Sequence, residues 1–346
     1  MKARLTALAA MAMMLSACDR GHEVSHAVAP SADASTAVVE TCPQTSLLCR
    51  DPQLAAIRDQ MKGALDKAAS DVSAEGAKLL AQNQNQWLEA QRVSCGVPSG
   101  ATTLTPDQET CVKSAIADRV KNAAQAVQKI GGFTFQRVEV NNAAKASAAD
   151  AAAAPGAPDT FTQEINFPRI DGDSPAIKKF NEVVAQRPRF SAGDATNETT
   201  KYQIAYAGPQ LISVKFDYYD YSLGAAHPNT DAKAINFNMK TLAPLRATDV
   251  FKAGSGWENA LAKKGAAGVT KILKDFDDSL PATDPADVRA AAIDPGKWAI
   301  TNQGLTLLFS EEDMGSHAIG GKEVSIPWSE LKPYLSPDAP APIKAS

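Results

Sequence analysis

Four cysteines in the first third of this 346-residue chain limit its fold more than any other feature. Cys42, Cys49, Cys95 and Cys111 all precede residue 112, and no cysteine follows them. Two disulfides among them would tie together a short N-terminal unit, which as a small module buries too little apolar surface to be stable alone. The sequence leaves three pairings open, and we prefer the sequence-local one, Cys42 with Cys49 and Cys95 with Cys111.

The N-terminus predicts a secretory signal peptide over residues 1–17. Lys2 and Arg4 precede an uncharged apolar run over residues 5–15. This run has about half of the ~20 residues that a bilayer crossing needs, so a cleaved signal is favoured over a spanning helix. The run leads into the tetrapeptide Leu-Ser-Ala-Cys, which ends at Cys18.

That tetrapeptide resembles the bacterial lipobox, in which the cysteine is acylated, for example with palmitate, and becomes the new N-terminus. The resemblance implies a lipoprotein that Cys18 anchors to a membrane on the periplasmic side of the cell envelope. Asp19 in the next position suggests the inner membrane. An ordinary signal peptide with an incidental cysteine is the alternative. Thiols become oxidised in this compartment, so the other four cysteines are expected to be paired.

The net charge of the chain favours some classes of binding partner over others. Cleavage after residue 17 removes Lys2 and Arg4 and shifts the formal net charge from −4 to −6. The mature chain therefore lacks the basic surface typical of nucleic-acid-binding proteins, and we expect no nucleic acid partner. A cationic partner is favoured over an anionic one.

Composition divides the remainder into a tether, two folded units, a linker and a tail. Residues 18–41 show no periodicity and predict a flexible lipidated tether. Residues 42–137 are helical in pattern, as in the spacing of Leu54, Met61 and Leu65, and predict three short antiparallel helices tied by disulfides.

The alanine- and proline-rich residues 138–160 predict a linker, and residues 337–346 predict a disordered tail. Between them, residues 161–336 combine alternating strands with helices at 176–185 and 257–276. This pattern predicts an α+β domain with an antiparallel sheet and helices on one face, so the fold class of the whole chain is α+β.

The helical unit resembles the LprI-type lysozyme-inhibitor domain. The resemblance rests on the four cysteines, on Arg50-Asp51-Pro52 after Cys49, and on the run Gln-Asn-Gln-Trp-Leu at 84–88 with Arg92-Val93-Ser94-Cys95. It covers residues 42–127 and implies that Trp87 and Arg92 contribute to an inhibitory surface. A tryptophan at helical spacing is, however, more often a core residue.

The C-terminal unit resembles the module at the C-terminus of RsiV-type anti-sigma factors and PdaC-type peptidoglycan deacetylases. The motifs are Ile-Ser-Val at 212–214, Gly-Ala-Ala-His-Pro-Asn at 224–229, and Val-Ser-Ile-Pro-Trp-Ser-Glu-Leu at 324–331. In RsiV this module is a lysozyme receptor, and in the deacetylase it accompanies a separate catalytic domain. We find no such catalytic domain in this sequence.

Both resemblances point to lysozyme or to the glycan that lysozyme cuts. We therefore expect a protein that binds, and inhibits or senses, lysozyme-type muramidases; a peptidoglycan-binding or cell-wall-enzyme-binding module is the alternative. The chain has four histidines and lacks the Gly-x-Ser-x-Gly, His-Glu-x-x-His and P-loop motifs. We accordingly expect no enzyme activity, catalytic residue, metal or cofactor.

An aromatic and acidic strand running into the turn at His227 is the other candidate recognition surface, because tyrosines are good interface anchors. The equally weighted alternative is that the tyrosines fill the core and His227 fixes the turn. The acidic run at 311–313 either meets a basic partner or is a solvated loop. The candidate partner-binding residues are Tyr219, Tyr221, His227, Asn229, Trp87 and Arg92.

Overall fold

The computed structural model describes residues 52–153, 156, 160–186, 195–311, 313 and 320–345. The predicted signal peptide and tether, with Cys18, Cys42 and Cys49, lie outside these residues. Within the described ranges, no helix combines the length and the apolar composition that crossing a bilayer requires.

Three helices form the N-terminal part of the fold: α1 (Pro52–Ser70), α2 (Ala74–Ser94) and α3 (Pro106–Ala123). Helix α2 begins where the Ser73 side chain accepts a hydrogen bond from the Gly76 amide, and α3 begins at a capping box between Thr105 and Gln108. A disulfide joins Cys95 at the end of α2 to Cys111 in α3. The apolar faces of the three helices pack around Leu54, Leu65, Trp87 and Ile116, all at most 8% exposed.

A seven-stranded sheet with its strands in chain order follows the three helices. Its strands are β1 (Val127–Ile130), β2 (Phe133–Lys145), β3 (Thr160–Ile170), β4 (Thr196–Ala207), β5 (Leu211–Ser222), β6 (Asn229–Asn238) and β7 (Ala243–Pro244). All neighbours pair antiparallel except β3 and β4, which pair in parallel over three residues. Two short helices accompany it, α4 (Ala148–Ala153) and α5 (Pro175–Ala185). Phe180 of α5 packs against Phe216 and Phe237 of the sheet, and all three are fully buried.

A second sheet follows in the C-terminal third. It contains β8 (Trp298–Ile300), β9 (Gly304–Phe309) and β10 (Lys322–Pro327), in the order β10-β9-β8. The accompanying helices are α6 (Ala247–Val250), α7 (Trp257–Phe276), α8 (Arg289–Ile293) and α9 (Trp328–Leu331). Leu261 and Val269 of α7 share a buried core with Trp298 and Phe309. The α+β fold class and its predominantly antiparallel sheet are confirmed.

The structure differs from the sequence-based expectation at two segments. Residues 138–145, predicted as linker, continue β2 and pair with β3 throughout, so Asn141 and its neighbours lie inside the sheet. Within the tail, predicted as disordered, Ala339 and Ile343 are at most 2% exposed and join the C-terminal core. Small polar and alanine residues suggested a loop in both places, but pairing and burial against neighbouring elements override such local preferences.

Candidate functional site

The N-terminal helices contact the sheet through polar groups. The Asn83 amide of α2 donates to the backbone oxygen of Arg137 at 2.8 Å and accepts from the Glu139 amide at 3.2 Å. At the N-terminus of α2, Ser73 donates from both its backbone nitrogen and its hydroxyl to Asp171, each at 2.6 Å. These bonds dock the helices on β2 and on the end of β3.

Arg119 is the centre of this interface. Its guanidinium donates to Glu139 at 2.6 Å and to Gln84 at 3.0 Å, and it lies 5.2 Å from the centroid of the Trp87 ring. Arg137 donates to the other oxygen of the same carboxylate at 2.7 Å. Burial alone would raise the pKa of Glu139, but the two guanidinium groups outweigh it and hold that pKa below its ordinary value.

A polar cleft of about 570 Å³ opens beside this buried cluster. We define it by the residues of α2, α3 and the first four strands that line it. Eight of the twenty lining residues are asparagine or glutamine: Gln91, Asn122, Gln125, Gln128, Asn141, Asn142, Gln163 and Asn166. Its volume lies within the about 300–1,000 Å³ typical of small-ligand sites.

The charged groups that line the cleft balance one another. Three are basic and three are acidic: Arg119, Arg137 and Lys201 against Asp118, Glu139 and Glu164. Both arginines bond to Glu139, and Asp118 pairs with Lys121 at 2.9 Å. The cleft therefore presents many neutral hydrogen-bonding groups and little net charge.

Three residues with hydroxyl groups also line the cleft: Ser94, Thr162 and Tyr202. Burial raises the pKa of Tyr202 to about 12, so its phenol stays protonated and remains a hydrogen-bond donor at neutral pH. The Ser94 hydroxyl oxygen is buried and has no hydrogen-bond partner among the described residues. A ligand in the cleft could bond to the Tyr202 phenol, whereas the Ser94 oxygen is buried below the surface of the cleft.

The predicted tyrosine surface lies elsewhere, on β5 and β6. Tyr219 is 40% exposed and lines a second cavity of about 410 Å³, whereas its neighbour Tyr218 is 3% exposed and belongs to the core. The alternation of the strand explains this difference, because successive side chains point to opposite faces.

The other three residues of that predicted surface lie at or beside the turn between β5 and β6, with Tyr221 near the end of β5 and Asn229 at the start of β6. The Tyr221 hydroxyl donates to the backbone oxygen of Ala225 at 3.0 Å, and the Asn229 amide donates to Asp220 at 3.0 Å. His227 is exposed, and its Nδ1 atom lies 3.0 Å from the Pro228 backbone oxygen. Local bonds thus hold the turn, while His227 and Asn229 remain exposed.

Trp87 and Arg92 lie five positions apart on α2. Trp87 is 8% exposed and lines both the polar cleft and an apolar cavity of about 350 Å³. Arg92 lines the apolar cavity but not the polar cleft, and it donates to the Val97 backbone oxygen at 2.6 Å. Trp87 and Tyr219 therefore line different cavities.

The acidic run at 311–313 makes contacts within the chain at its described positions. Glu311 is 6% exposed and accepts a hydrogen bond from Thr230. Asp313 accepts two bonds from Ser310, each at 2.7 Å, and pairs with Lys297 at 3.3 Å. Both carboxylates hold neighbouring chain segments together.

Sequence reasoning missed the amide residues of the polar cleft. A local signal was present in the adjacent pair Asn141-Asn142, which lines the cleft. This pair was interpreted as part of the linker, which removed it from consideration.

Residues 248–329 match a family model described as a protein of unknown function, DUF3298. The matched segment contains α7, the second sheet and the core between them. A DUF3298 segment is therefore present in the C-terminal region, as the predicted resemblance to the PdaC-type module implied. The match begins beyond the three N-terminal helices, so their resemblance to the LprI-type domain stays a prediction.

The chain is also similar to peptidoglycan-N-acetylmuramic acid deacetylase PdaC of Bacillus subtilis strain 168. The two are 26% identical over 188 residues, which cover 51% of this chain and 39% of the relative, so the chain spans less than half of that relative's length. This similarity contradicts the expectation that the chain is not an enzyme, because the relative is named for a deacetylation reaction. The absence of familiar catalytic motifs was too weak a reason for that expectation.

Two crystal structures of DUF3298 family proteins align with 60% of this chain. The one from Bacteroides fragilis NCTC 9343 is 15% identical, with 96% of its chain covered and a TM-score of 0.38. The one from Pseudomonas aeruginosa PAO1 is 14% identical, with 95% covered and a TM-score of 0.42. The polar cleft and the tyrosine surface are therefore described from the structure of this chain alone.

Proposed function

We propose that this protein binds peptidoglycan at the bacterial cell envelope. The observation that carries the proposal is the polar cleft, whose amide groups can donate and accept hydrogen bonds along a polymer rich in hydroxyl and amide groups. The relative from B. subtilis supports it, because its name states that it acts on peptidoglycan.

A lipid anchor at Cys18 belongs to the same proposal. It would hold the chain at a membrane surface that faces the cell wall, and residues 18–41 would supply the reach of a flexible tether. The sequence supports this location through the basic, apolar and Leu-Ser-Ala-Cys segments that precede Asp19.

Sedimentation with purified sacculi tests the proposed function. The purified full chain should pellet with intact sacculi in a concentration-dependent manner and remain in the supernatant after the sacculi have been digested with a muramidase. An unrelated protein of similar size and acidity is the control for trapping. Recovery of the chain in the supernatant at every sacculus concentration would contradict the proposal.

A second candidate is the capture of a lysozyme-type muramidase by the tyrosine surface. Tyr219 favours it, because an exposed tyrosine beside a cavity is a typical interface anchor. In a turbidity assay, the full chain should slow lysis by lysozyme, and Tyr219→Ala should abolish the effect. Phe276→Ala is the matched control, since Phe276 is a 66% exposed aromatic residue at the end of α7. Undiminished lysis at excess protein would exclude this candidate.

A further inference from the structure

We infer that the polar cleft binds the uncharged, N-acetylated glycan strand of peptidoglycan and not its peptide stem. This inference rests on the proposed function and names the part of the polymer that is recognised. The argument comes from the charge balance of the cleft, from its amide groups, and from the rigidity of its floor.

The glycan strand and the peptide stem of peptidoglycan differ in charge. Peptide stems carry free carboxylates, and a site for them needs cations that are available to pair. Arg119 and Arg137 already bond to Glu139, and Arg119 also bonds to Gln84. Among the basic residues that line the cleft, Lys201 has no ion pair in the described part of the chain. The negative charge of Glu164, which also lines the cleft, balances its positive charge. The balance favours a neutral ligand.

The amide groups suit an acetylated sugar. Each asparagine or glutamine offers two N–H donors and a carbonyl acceptor, and sugar hydroxyl and acetamido groups likewise both donate and accept. Amides line the cleft from two sides, with Asn122 and Gln125 at the end of α3 and Asn142 on β2. Their exposure leaves them available to a ligand.

The floor of the cleft is preorganised. The bonds of Arg119 and Arg137 to Glu139 fix three of the lining side chains, and the Arg119 guanidinium also lies against the Trp87 ring. Binding of a ligand therefore costs little side-chain conformational entropy on the floor of the cleft. The protonated Tyr202 phenol, which also lines the cleft, adds a donor for sugar hydroxyl groups.

Calorimetry with defined probes tests the inference on the purified full chain. The probes are the tetramer of β-1,4-linked N-acetylglucosamine, the same tetramer without acetyl groups, and a free stem peptide. We expect binding of the acetylated tetramer alone. Gln125→Ala and Asn142→Ala should each weaken it about fivefold, as expected for the loss of one hydrogen bond of about 1 kcal/mol. Gln86→Ala, an exposed glutamine of α2 outside the cleft, should leave the affinity unchanged.

The outcomes also separate this inference from the proposed function. If the chain pellets with sacculi but binds the stem peptide instead of the glycan, the inference fails and the proposed function stands. If both cleft variants bind the tetramer as tightly as the unchanged chain does, the glycan site lies elsewhere and the inference is again wrong. If neither sacculi nor probes bind, both statements fail. Circular dichroism of each variant establishes that a lost affinity is not a lost fold.

Discussion

Arg119 of helix α3 and Glu139 of strand β2 form a buried ion pair, with 2.6 Å between the joined atoms and side chains that are 6% and 4% exposed. The pair links the disulfide-bonded helices to the sheet. Arg137 also donates to Glu139, and Gln84 accepts a hydrogen bond from Arg119. The cluster therefore satisfies most of the polar groups that the interface removes from water.

Removing one partner of this pair should destabilise the protein strongly. Glu139→Gln leaves two arginines facing an uncharged amide, and breaking a buried pair in this way costs about 3–5 kcal/mol. Lys121→Met is the control, because the Lys121–Asp118 pair lies on the same helix but is exposed, and such pairs contribute about 0–1 kcal/mol. Urea unfolding measures both; equal free energies of unfolding for the two variants would contradict the prediction.

The same carboxylate should make stability depend on pH. The folded-state pKa of Glu139 lies below its ordinary value of 4.5 because Arg119 and Arg137 outweigh the effect of burial. A lowered pKa means that the ionised pair contributes fully above about pH 4.5 and that its contribution is lost as the pH falls further. The stability difference between the wild type and Glu139→Gln should therefore be constant from pH 7 to 5 and shrink below pH 4.5. A difference that persists unchanged at pH 3 would argue against it.

Much of the fold could be predicted from periodicity. Helix α7 begins and ends at Trp257 and Phe276 as predicted. This segment has a strong apolar pattern at helical spacing. The second half of β2 was missed because Asn141, Asn142 and the alanines after them have low strand propensity, and pairing with β3 stabilises them instead.

The candidate site was harder to predict for a physical reason. The cleft combines side chains from α2, α3 and four strands, and its residues become neighbours only once the helices dock on the sheet. Trp87 was singled out from sequence, but Arg119, whose guanidinium lies over its ring, follows 32 positions later and has no local signature. A cluster of this kind depends on tertiary contacts that neither spacing nor composition encodes.

Replacement of the lipobox cysteine should change where the protein is found. Cys18→Ser keeps the apolar run but removes the thiol that carries the lipid, so the exported chain should move from the membrane fraction to the soluble periplasmic fraction. Cys49→Ser is the matched control, because it removes a different cysteine and should leave the chain at the membrane. Labelling with a palmitate analogue measures the modification directly. Labelling that survives in Cys18→Ser would contradict the prediction, because the lipid would then be attached to another residue.

The Cys95–Cys111 disulfide should stabilise the N-terminal helices. It closes a loop of 16 residues between the end of α2 and α3, and a loop of this length corresponds to about 3 kcal/mol in the chain-entropy description. Replacing both cysteines with alanine should lower the free energy of unfolding by about this amount while leaving the sheet core of Phe180 and Phe216 intact. Peptide mapping of the oxidised wild type by mass spectrometry provides the control, since a peptide that links Cys95 to Cys42 or Cys49 would overturn the pairing itself. If the pairing holds but the double variant unfolds at the same urea concentration as the wild type, the helices owe their stability to the Arg119–Glu139 contact with β2 and not to the disulfide.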